Sequence, residues 1–207
     1  LVDVRAWLRV HVPDAAEQAP ADVYRDWLAV ADNAHGGRSR FVADTAAQED
    51  PSAPEEAPEQ VAMALLELID HAESELIVVS AYLIPTADLE AAVERAEKRG
   101  VRVRVLTNSL RSNNHLAAHA AYRRHIEQLM RHGADLHEVR ALAKDRERYM
   151  TAPAAAKRLG LHAKLLVVDD DRVYIGSCNL DPRSLRINTE VGLVIESADL
   201  NRALRDV

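Results

Sequence analysis

Residues 161–190 read LHAKLLVVDDDRVYIGSCNLDPRSLRINTE. The apolar run within 161–168 predicts a buried strand, residues 173–175 predict a second strand, and a turn containing glycine follows at 176–179. His162 and Lys164 are two residues apart on the first strand, so their side chains are expected on one face, with Ala163 on the other. This spacing predicts that the imidazole and the ammonium group share one pocket.

The polar residues of this stretch suit the chemistry of phosphate. An imidazole such as that of His162 can attack phosphorus or protonate a leaving oxygen, and Lys164 can hold the charge that develops on phosphoryl oxygens. Ser177 and Asn179 add neutral hydrogen-bond donors. Asp169 is expected to pair with a cation or to orient an imidazole ring. This chemistry requires neither a metal nor a cofactor.

Patterns of helix and strand alternate over the rest of the chain from residue 60 onward. The periodicities predict helices at 60–73, 87–99, 116–131 and 199–207, and strands at 75–81, 101–106, 134–139 and 191–195. Strands separated by helices favour parallel crossovers, whereas 173–195 interrupts the alternation and predicts some antiparallel pairing. The predicted fold class is therefore α/β, with a mixed, mostly parallel sheet flanked by helices on both faces.

The chain divides into three predicted parts. Residues 1–37 form a small helical extension, interpreted as the tail of a preceding half, and residues 38–59 form a linker or loop rich in Pro, Glu, Asp, Ala and Ser. Residues 60–207 form the compact catalytic half, in which 140–160 is expected to be a surface loop. The chain begins at Leu1 and stops within a predicted helix, which favours a piece of a longer protein.

Composition excludes several classes of function. The formal net charge of −7 provides no overall positive field, so a sequence-independent nucleic-acid binder is disfavoured. The single cysteine, Cys178, cannot form an internal disulfide or a thiolate zinc cluster and is interpreted as a packing residue. His115 and His119 have the spacing of zinc ligands on a helix, but no third ligand is evident, which favours solvated or pocket-rim histidines.

A group of basic residues leaves two interpretations open. They could bind anionic lipid headgroups, each residue near such a surface contributing about 1 kcal/mol. Acidic neighbours at Glu127, Asp145 and Glu147 favour a solvated helix face at least as strongly. The basic residues concerned are Arg123, Arg124, Arg131, Lys144, Arg146 and Arg148.

The spacing of the central motif resembles a known signature. His162, any residue, Lys164, four residues, Asp169, six residues and then Gly-Ser-x-Asn match the phospholipase D superfamily at every defining position. Further segments resemble the second half of bacterial cardiolipin synthases, over about 74–197 with a looser match at 38–44. These segments are 80–86 (SAYLIPT), 106–110 (LTNSL), 119–122 (HAAY), 181–184 (DPRS) and 188–190 (NTE).

The resemblance implies how the site works. In that superfamily two such motifs face each other across a pocket; one histidine forms a phosphohistidine, and the other protonates the departing alcohol and then deprotonates the incoming one. Carried over by position, the catalytic residues are His162, Lys164 and Asp169, with His162 as the acid–base residue and Glu190 as an orienting acid. The residues implied in substrate binding are Ser177, Asn179, Glu190, Asn108, Tyr82 and His119.

Only one motif occurs in this sequence, so a second half is expected from the same parent chain or from a homodimer mate. The leading hypothesis is a phosphatidyltransferase of the cardiolipin synthase type, acting on phosphatidylglycerol or a similar phospholipid. It would be peripheral to the bacterial cytoplasmic membrane, with the membrane surface as a partner. The alternatives are a phospholipase or nuclease in which water replaces the alcohol, and an inactive binding half.

Overall fold

A computed structural model describes residues 34–44, 60–145 and 159–205. Most of the predicted helical extension, the rest of the linker and most of the 140–160 loop lie outside these ranges. Residues 34–37 form no helix. The chain separates into a unit of residues 1–36 and a compact unit from Gly37 to Val207, which carries all the elements described below.

The compact unit contains seven strands and six helices within the described residues. The strands are β1 (Arg38–Ala43), β2 (Glu75–Ser80), β3 (Arg102–Asn108), β4 (Asp135–Val139), β5 (Lys164–Val168), β6 (Arg172–Gly176) and β7 (Val191–Glu196). The helices are α1 (Gln60–Asp70), α2 (Ala87–Lys98), α3 (Leu116–Tyr122), α4 (Ile126–Arg131), α5 (Pro182–Arg186) and α6 (Ala198–Arg205). No helix in the described part of the chain is long and apolar enough to cross a membrane.

The strands form one mixed sheet in the order β1-β7-β6-β5-β2-β3-β4. Only β2 with β3 and β3 with β4 pair in parallel, and the other four pairings are antiparallel. The predicted mixed α/β class is confirmed, but the expectation of mostly parallel pairing is wrong. The reason is that β5 and β6 are joined by a tight turn, and that the connection from β6 to β7, which contains α5, returns the chain to the adjacent position in the opposite direction.

The core lies between one face of the sheet and helices α1 and α2. Alternation places Leu76, Val78, Val103, Val105 and Leu166 on that face, and all are buried. Helix α2 begins at the cap of Thr86, whose hydroxyl accepts from the Leu89 N–H, and ends before Gly100 at φ +87°. On the other face Val167 and Val173 are also buried, and α6 packs against their strands.

Several element boundaries differ from the sequence predictions. Residues 38–43, predicted as linker, form β1 and pair along their whole length with β7. The predicted helix 116–131 is two helices, because the Arg124 and His125 N–H groups bond three residues back and form a turn. Helix α5 was not predicted, although Asp181 followed by proline is a strong helix start, and the Asp181 carboxylate caps the N–H groups of Arg183 and Ser184.

Candidate active site

His162 and Lys164 are brought together at one edge of the sheet. Strands β2, β3 and β4 end at this edge and β5 begins there; we call it the site edge. The Lys164 Nζ lies 3.3 Å from His162 Nδ1 and donates to the His162 carbonyl at 2.6 Å. Strand β5 begins at Lys164, so His162 precedes the strand on which it was predicted.

The two side chains differ in exposure, which separates their roles. His162 is exposed and free to meet a substrate, whereas Lys164 is buried and pairs across the sheet with Ser80. Burial lowers the pKa of the Lys164 ammonium, and the carboxylates of Glu190 and Asp181 offset only part of that effect. The chain therefore holds a cation beside the imidazole at a cost in solvation, as a site for an anionic group requires.

Ser177 and Glu190 form a hydrogen-bonded network next to these groups. The Ser177 hydroxyl donates to one oxygen of the Glu190 carboxylate, and Asn188 Nδ2 donates to the other at 3.1 Å. The Val191 N–H donates to Ser177 Oγ at 3.0 Å. Glu190 is buried. Its negative charge lies near Lys164 and it accepts from Ser177, while its orienting role stays a prediction.

Asp44 belongs to this network and was not predicted as a site residue. The Asp44 carboxylate is buried and accepts from the Val61 N–H at 2.8 Å and from the Glu190 N–H at 2.9 Å. It thus ties the first turn of α1 to the main chain of Glu190. The available signal was an aspartate directly after the apolar end of a strand (Phe41-Val42-Ala43) in the segment with the looser resemblance.

Asn179 and Cys178 lie in the turn after β6. The Asn179 Oδ1 is buried and has no hydrogen-bond partner among the described residues, so this amide has capacity for a bound group. Cys178 is buried, and burial raises the pKa of its thiol further from neutrality, with Glu190 and Asp44 acting in the same direction. These findings support the interpretation of Cys178 as a packing residue.

Asp169 is not brought to the site. Strand β5 rises about 3.3 Å per residue, so the Cα atoms of Lys164 and Asp169 are about 16 Å apart. The Asp169 carboxylate accepts from the main-chain N–H groups of Ser74 and Glu75 at 2.7 and 3.2 Å and pairs with Arg172. The expected pairing with a cation is therefore present at the opposite edge of the sheet, where Asp169 holds together the start of β2 and the turn after β5.

The carboxylate of Asp169 is held in its charged form. Burial alone would raise the pKa of Asp169, but main-chain N–H groups of Ser74, Glu75 and Glu73 outweigh burial and keep that pKa below its usual value. Asp169 also adopts φ +49°, a conformation that aspartate and asparagine tolerate better than most residues. These contacts give Asp169 a structural role, which requires no contact with a substrate.

Asn108 also makes its hydrogen bonds to the protein main chain. Its amide is buried and bonds only main-chain groups: Nδ2 donates to the carbonyls of Ala81 and Leu161 at 3.0 and 2.9 Å, and Oδ1 accepts from the Leu161 N–H at 2.9 Å. Leu161 precedes His162 directly. Asn108 therefore fixes the chain that carries His162, and all its described hydrogen bonds are taken by the main chain instead of being free for the predicted substrate contact.

Tyr82 and His119 lie on the loops and helices at the site edge. The Tyr82 hydroxyl donates to Asn114 Oδ1 at 2.7 Å, and its ring meets His115 edge-on at 6.1 Å. His119 is buried against Tyr122, with ring centroids 5.6 Å apart, and its Nδ1 has no partner among the described residues. No hydrogen bond joins Tyr82 or His119 to His162 in the described part of the chain, so their substrate contact stays a prediction.

Gly176 makes room for a core side chain. A Cβ on Gly176 would lie 2.5 Å from the Val191 carbonyl oxygen and 2.6 Å from Tyr174 Cζ, and a Cβ on Gly192 would lie 2.7 Å from the same ring atom. Both glycines make room for the Tyr174 ring, which is buried in the core.

The fold and the paired imidazole and ammonium define a domain of the phospholipase D superfamily. The family model described as "Cardiolipin synthase, PLD-like domain" matches residues 65–207, and the chain belongs to this family. The predicted superfamily is thereby confirmed.

Relatives and solved structures agree with this assignment. The chain is 36% identical over 140 residues to cardiolipin synthase C of Escherichia coli K12, an alignment that covers 66% of this chain and 29% of that protein. It thus spans less than a third of that relative's length. NucT from Helicobacter pylori superposes with a TM-score of 0.58 at 15% identity, covering 83% of this chain and 92% of NucT. Phosphatidylserine synthase of Haemophilus influenzae Rd KW20 superposes with a TM-score of 0.57 at 17% identity, covering 84% of this chain and 37% of the synthase. At these identities the two structures show a shared fold.

Proposed function

We propose that this chain is one catalytic half of a phosphatidyltransferase of the cardiolipin synthase type, acting on phosphatidylglycerol or a similar phospholipid at the bacterial cytoplasmic membrane. The observation that carries the proposal is the 3.3 Å approach of Lys164 Nζ to His162 Nδ1. A buried cation beside an exposed imidazole suits a phosphodiester, because the ammonium binds the phosphoryl oxygens while the imidazole reaches the reacting atoms. Membership of the cardiolipin synthase domain family supports the lipid substrate.

The reaction needs two histidines, and this chain supplies one. A nucleophilic imidazole nitrogen bonds to phosphorus while the bond from phosphorus to the alcohol oxygen breaks, and an acid gives that oxygen its proton. The hydroxyl of the second lipid then loses a proton to the same group and displaces the nucleophile from phosphorus. We assign His162 to proton transfer, and the nucleophile to the second motif of the same parent chain or of a homodimer mate.

A leaving-group experiment tests the assignment of His162. We expect His162→Ala in the full-length parent protein to abolish the conversion of phosphatidylglycerol to cardiolipin and glycerol. With a phosphatidyl p-nitrophenyl ester the leaving group needs no proton, so the same variant should still release p-nitrophenol in a first-turnover burst. His137→Ala is the control, since His137 is exposed and paired with Asp135.

The products separate transfer from its alternatives. Cardiolipin shows transfer, phosphatidic acid shows hydrolysis by water, and absence of turnover by both the chain and its parent shows a binding half. Loss of the burst in His162→Ala would instead make His162 the nucleophile. Unchanged cardiolipin synthesis in that variant would remove His162 from the mechanism.

A further inference from the structure

Four large aliphatic side chains are exposed around the site edge. Leu110, Leu116, Leu142 and Ile187 expose 54, 69, 62 and 76% of their surfaces. Single exposed apolar residues are ordinary on proteins, but these four lie on three segments that all adjoin the site. Met130, with 59% exposed, lies on α4 shortly before β4 begins, at the opposite edge of the sheet.

The segments that carry Leu110 and Leu142 are bonded to the chain leading into His162. Leu110 follows Asn108 by two residues, and the Asn108 amide holds Leu161. Leu142 follows Ala141, whose carbonyl accepts from the Leu159 N–H at 3.0 Å.

The other two aliphatic residues adjoin the rest of the site. Leu116 begins α3 two residues after Asn114, which accepts from the Tyr82 hydroxyl. Ile187 precedes Asn188, whose amide donates to Glu190. Three connections, β3 to α3, β4 to β5 and α5 to β7, thus place four aliphatic side chains near His162.

Unpaired cations lie on the same segments. On these segments five exposed basic residues form no ion pair within the described part of the chain, whereas Arg95, Lys98 and Arg131 are paired with carboxylates. Arg99 and Arg183 also form no ion pair there, but Arg99 donates to main-chain carbonyls and Arg183 donates to Asn188. The exposed acids between residues 110 and 145 are Glu127, which pairs with Arg131, Asp135, which pairs with Arg102 and His137, and then Glu138 and Asp145. In a chain with a net charge of −7, cations predominate here. The five basic residues are Arg111, Arg123, Arg124, Arg140 and Lys144.

We infer that these nine residues, here called the rim, dock onto the surface of an anionic phospholipid bilayer. The aliphatic side chains enter the boundary between headgroups and acyl chains, while the cations contact lipid phosphates. This docking turns the exposed His162 imidazole toward the lipid, so that a phospholipid reaches the site without leaving the membrane surface. The inference rests on the proposed function and adds how the membrane is contacted. Arg131, earlier grouped with these cations, pairs with Glu127 and is not part of the rim.

Vesicle sedimentation of the 207-residue chain tests the rim. We expect binding to vesicles of equal parts phosphatidylglycerol and phosphatidylcholine, and much weaker binding to phosphatidylcholine alone. Arg123→Gln with Arg124→Gln should lower the partition coefficient by about thirtyfold, since each cation contributes about fivefold. Arg95→Gln is the matched control, because Arg95 is half exposed but paired with Asp70.

A second pair of variants tests the aliphatic residues. Leu110→Ser with Leu116→Ser should lower binding by about tenfold or more, as expected when two partly inserted leucines are removed. Met130→Ser removes an equally exposed apolar side chain from the other edge and should leave binding unchanged. Circular dichroism and thermal unfolding establish that each variant is folded.

The outcomes distinguish this inference from the proposed function. Equal vesicle binding by rim and control variants would overturn the rim. Rim variants that lose self-association but keep vesicle binding would assign the surface to a second copy and also overturn it. Rim-dependent binding by a protein whose parent makes no cardiolipin would leave the rim standing and refute the function. Conversely, rim variants of the parent could be as active on vesicles as on a soluble short-chain lipid. That result would support the proposed function and refute the rim.

Discussion

The side-chain amide of Asn108 pairs with the main chain of Leu161 as a neighbouring strand would, with Oδ1 accepting from the Leu161 N–H and Nδ2 donating to the Leu161 carbonyl, both at 2.9 Å. This pairing holds the residue directly before His162, which lies outside the regular ladder of β5. The position of the His162 imidazole therefore depends on a side chain at the end of β3. Under the proposed function, Asn108 would act on the reaction through His162, as a positioning residue.

Replacing Asn108 by aspartate should misplace His162. The carboxylate keeps the acceptor for the Leu161 N–H but loses the donor to two carbonyls, which costs about 1–3 kcal/mol of stability. We expect kcat of the parent enzyme to fall about tenfold to a hundredfold with little change in KM, because binding through Lys164 is retained. Asn113→Asp is the control, since Asn113 Oδ1 only accepts from the His115 N–H. Equal kcat in the two variants would show that Asn108 does not position His162.

Lys164 should limit the stability of the fold while serving the reaction. Burial lowers its pKa, so the folded chain binds this proton less tightly than the unfolded chain. The contribution of Lys164 to stability is therefore lowest below its folded pKa and rises with pH up to the unfolded value of 10.5. We expect Lys164→Met to abolish activity, to unfold at no lower urea concentration than the wild type near about pH 7, and to lack this rise toward about pH 10. Lys98→Met, which changes an exposed lysine, should keep the rise. A large loss of stability in Lys164→Met would contradict the argument.

Local spacing was sufficient to predict the center of the site. The spacing of two positions from His162 to Lys164, with Ala163 between them, brings both side chains together even though the strand begins only at Lys164, since the extended chain keeps its alternation. The same rule could not identify Asp44, because the contact of Asp44 with Glu190 joins residues 146 positions apart. Such a contact follows from the pairing of β1 with β7, which joins segments far apart in the sequence and so cannot be read from local spacing.

The direction of the strands was harder to predict than their existence. All seven strands except β1 follow from alternation and apolar runs, and the parallel pairs β2-β3 and β3-β4 follow from the helices between them. The antiparallel pairing of β2 with β5 does not, because it depends on how the chain returns across the sheet after β4. The role of Asp169 was misjudged for a related reason: a motif is contiguous in sequence, but the length of β5 separates its two ends.

Asp169→Asn should affect stability and leave chemistry intact. Asparagine tolerates φ +49°, but it loses the charge that accepts main-chain N–H groups and pairs with Arg172, so we expect a loss of about 1–3 kcal/mol at neutral pH. The pKa of Asp169 is lowered in the folded chain, so its contribution is present above the unfolded value of 3.8 and is lost as pH falls through the folded pKa. Urea unfolding as a function of pH should show this loss in the wild type and in Asp170→Asn, but not in Asp169→Asn. A fall in kcat of the fully folded variant comparable to that of His162→Ala would return Asp169 to the catalytic site.

Gly176→Ala should destabilise the core through Tyr174. The added methyl group would overlap the Tyr174 ring and the Val191 carbonyl, and neither can move freely, because Tyr174 is fully buried and Val191 belongs to a paired strand. Overpacking of this kind costs about 1–3 kcal/mol, which thermal or urea unfolding can measure. Gly36→Ala is the control, because nothing lies within 4 Å of its added Cβ. In the double variant Gly176→Ala with Tyr174→Leu the overlap with the ring is absent, so the further loss caused by the alanine should shrink. An undiminished loss would place the strain at the Val191 carbonyl and not at the Tyr174 ring.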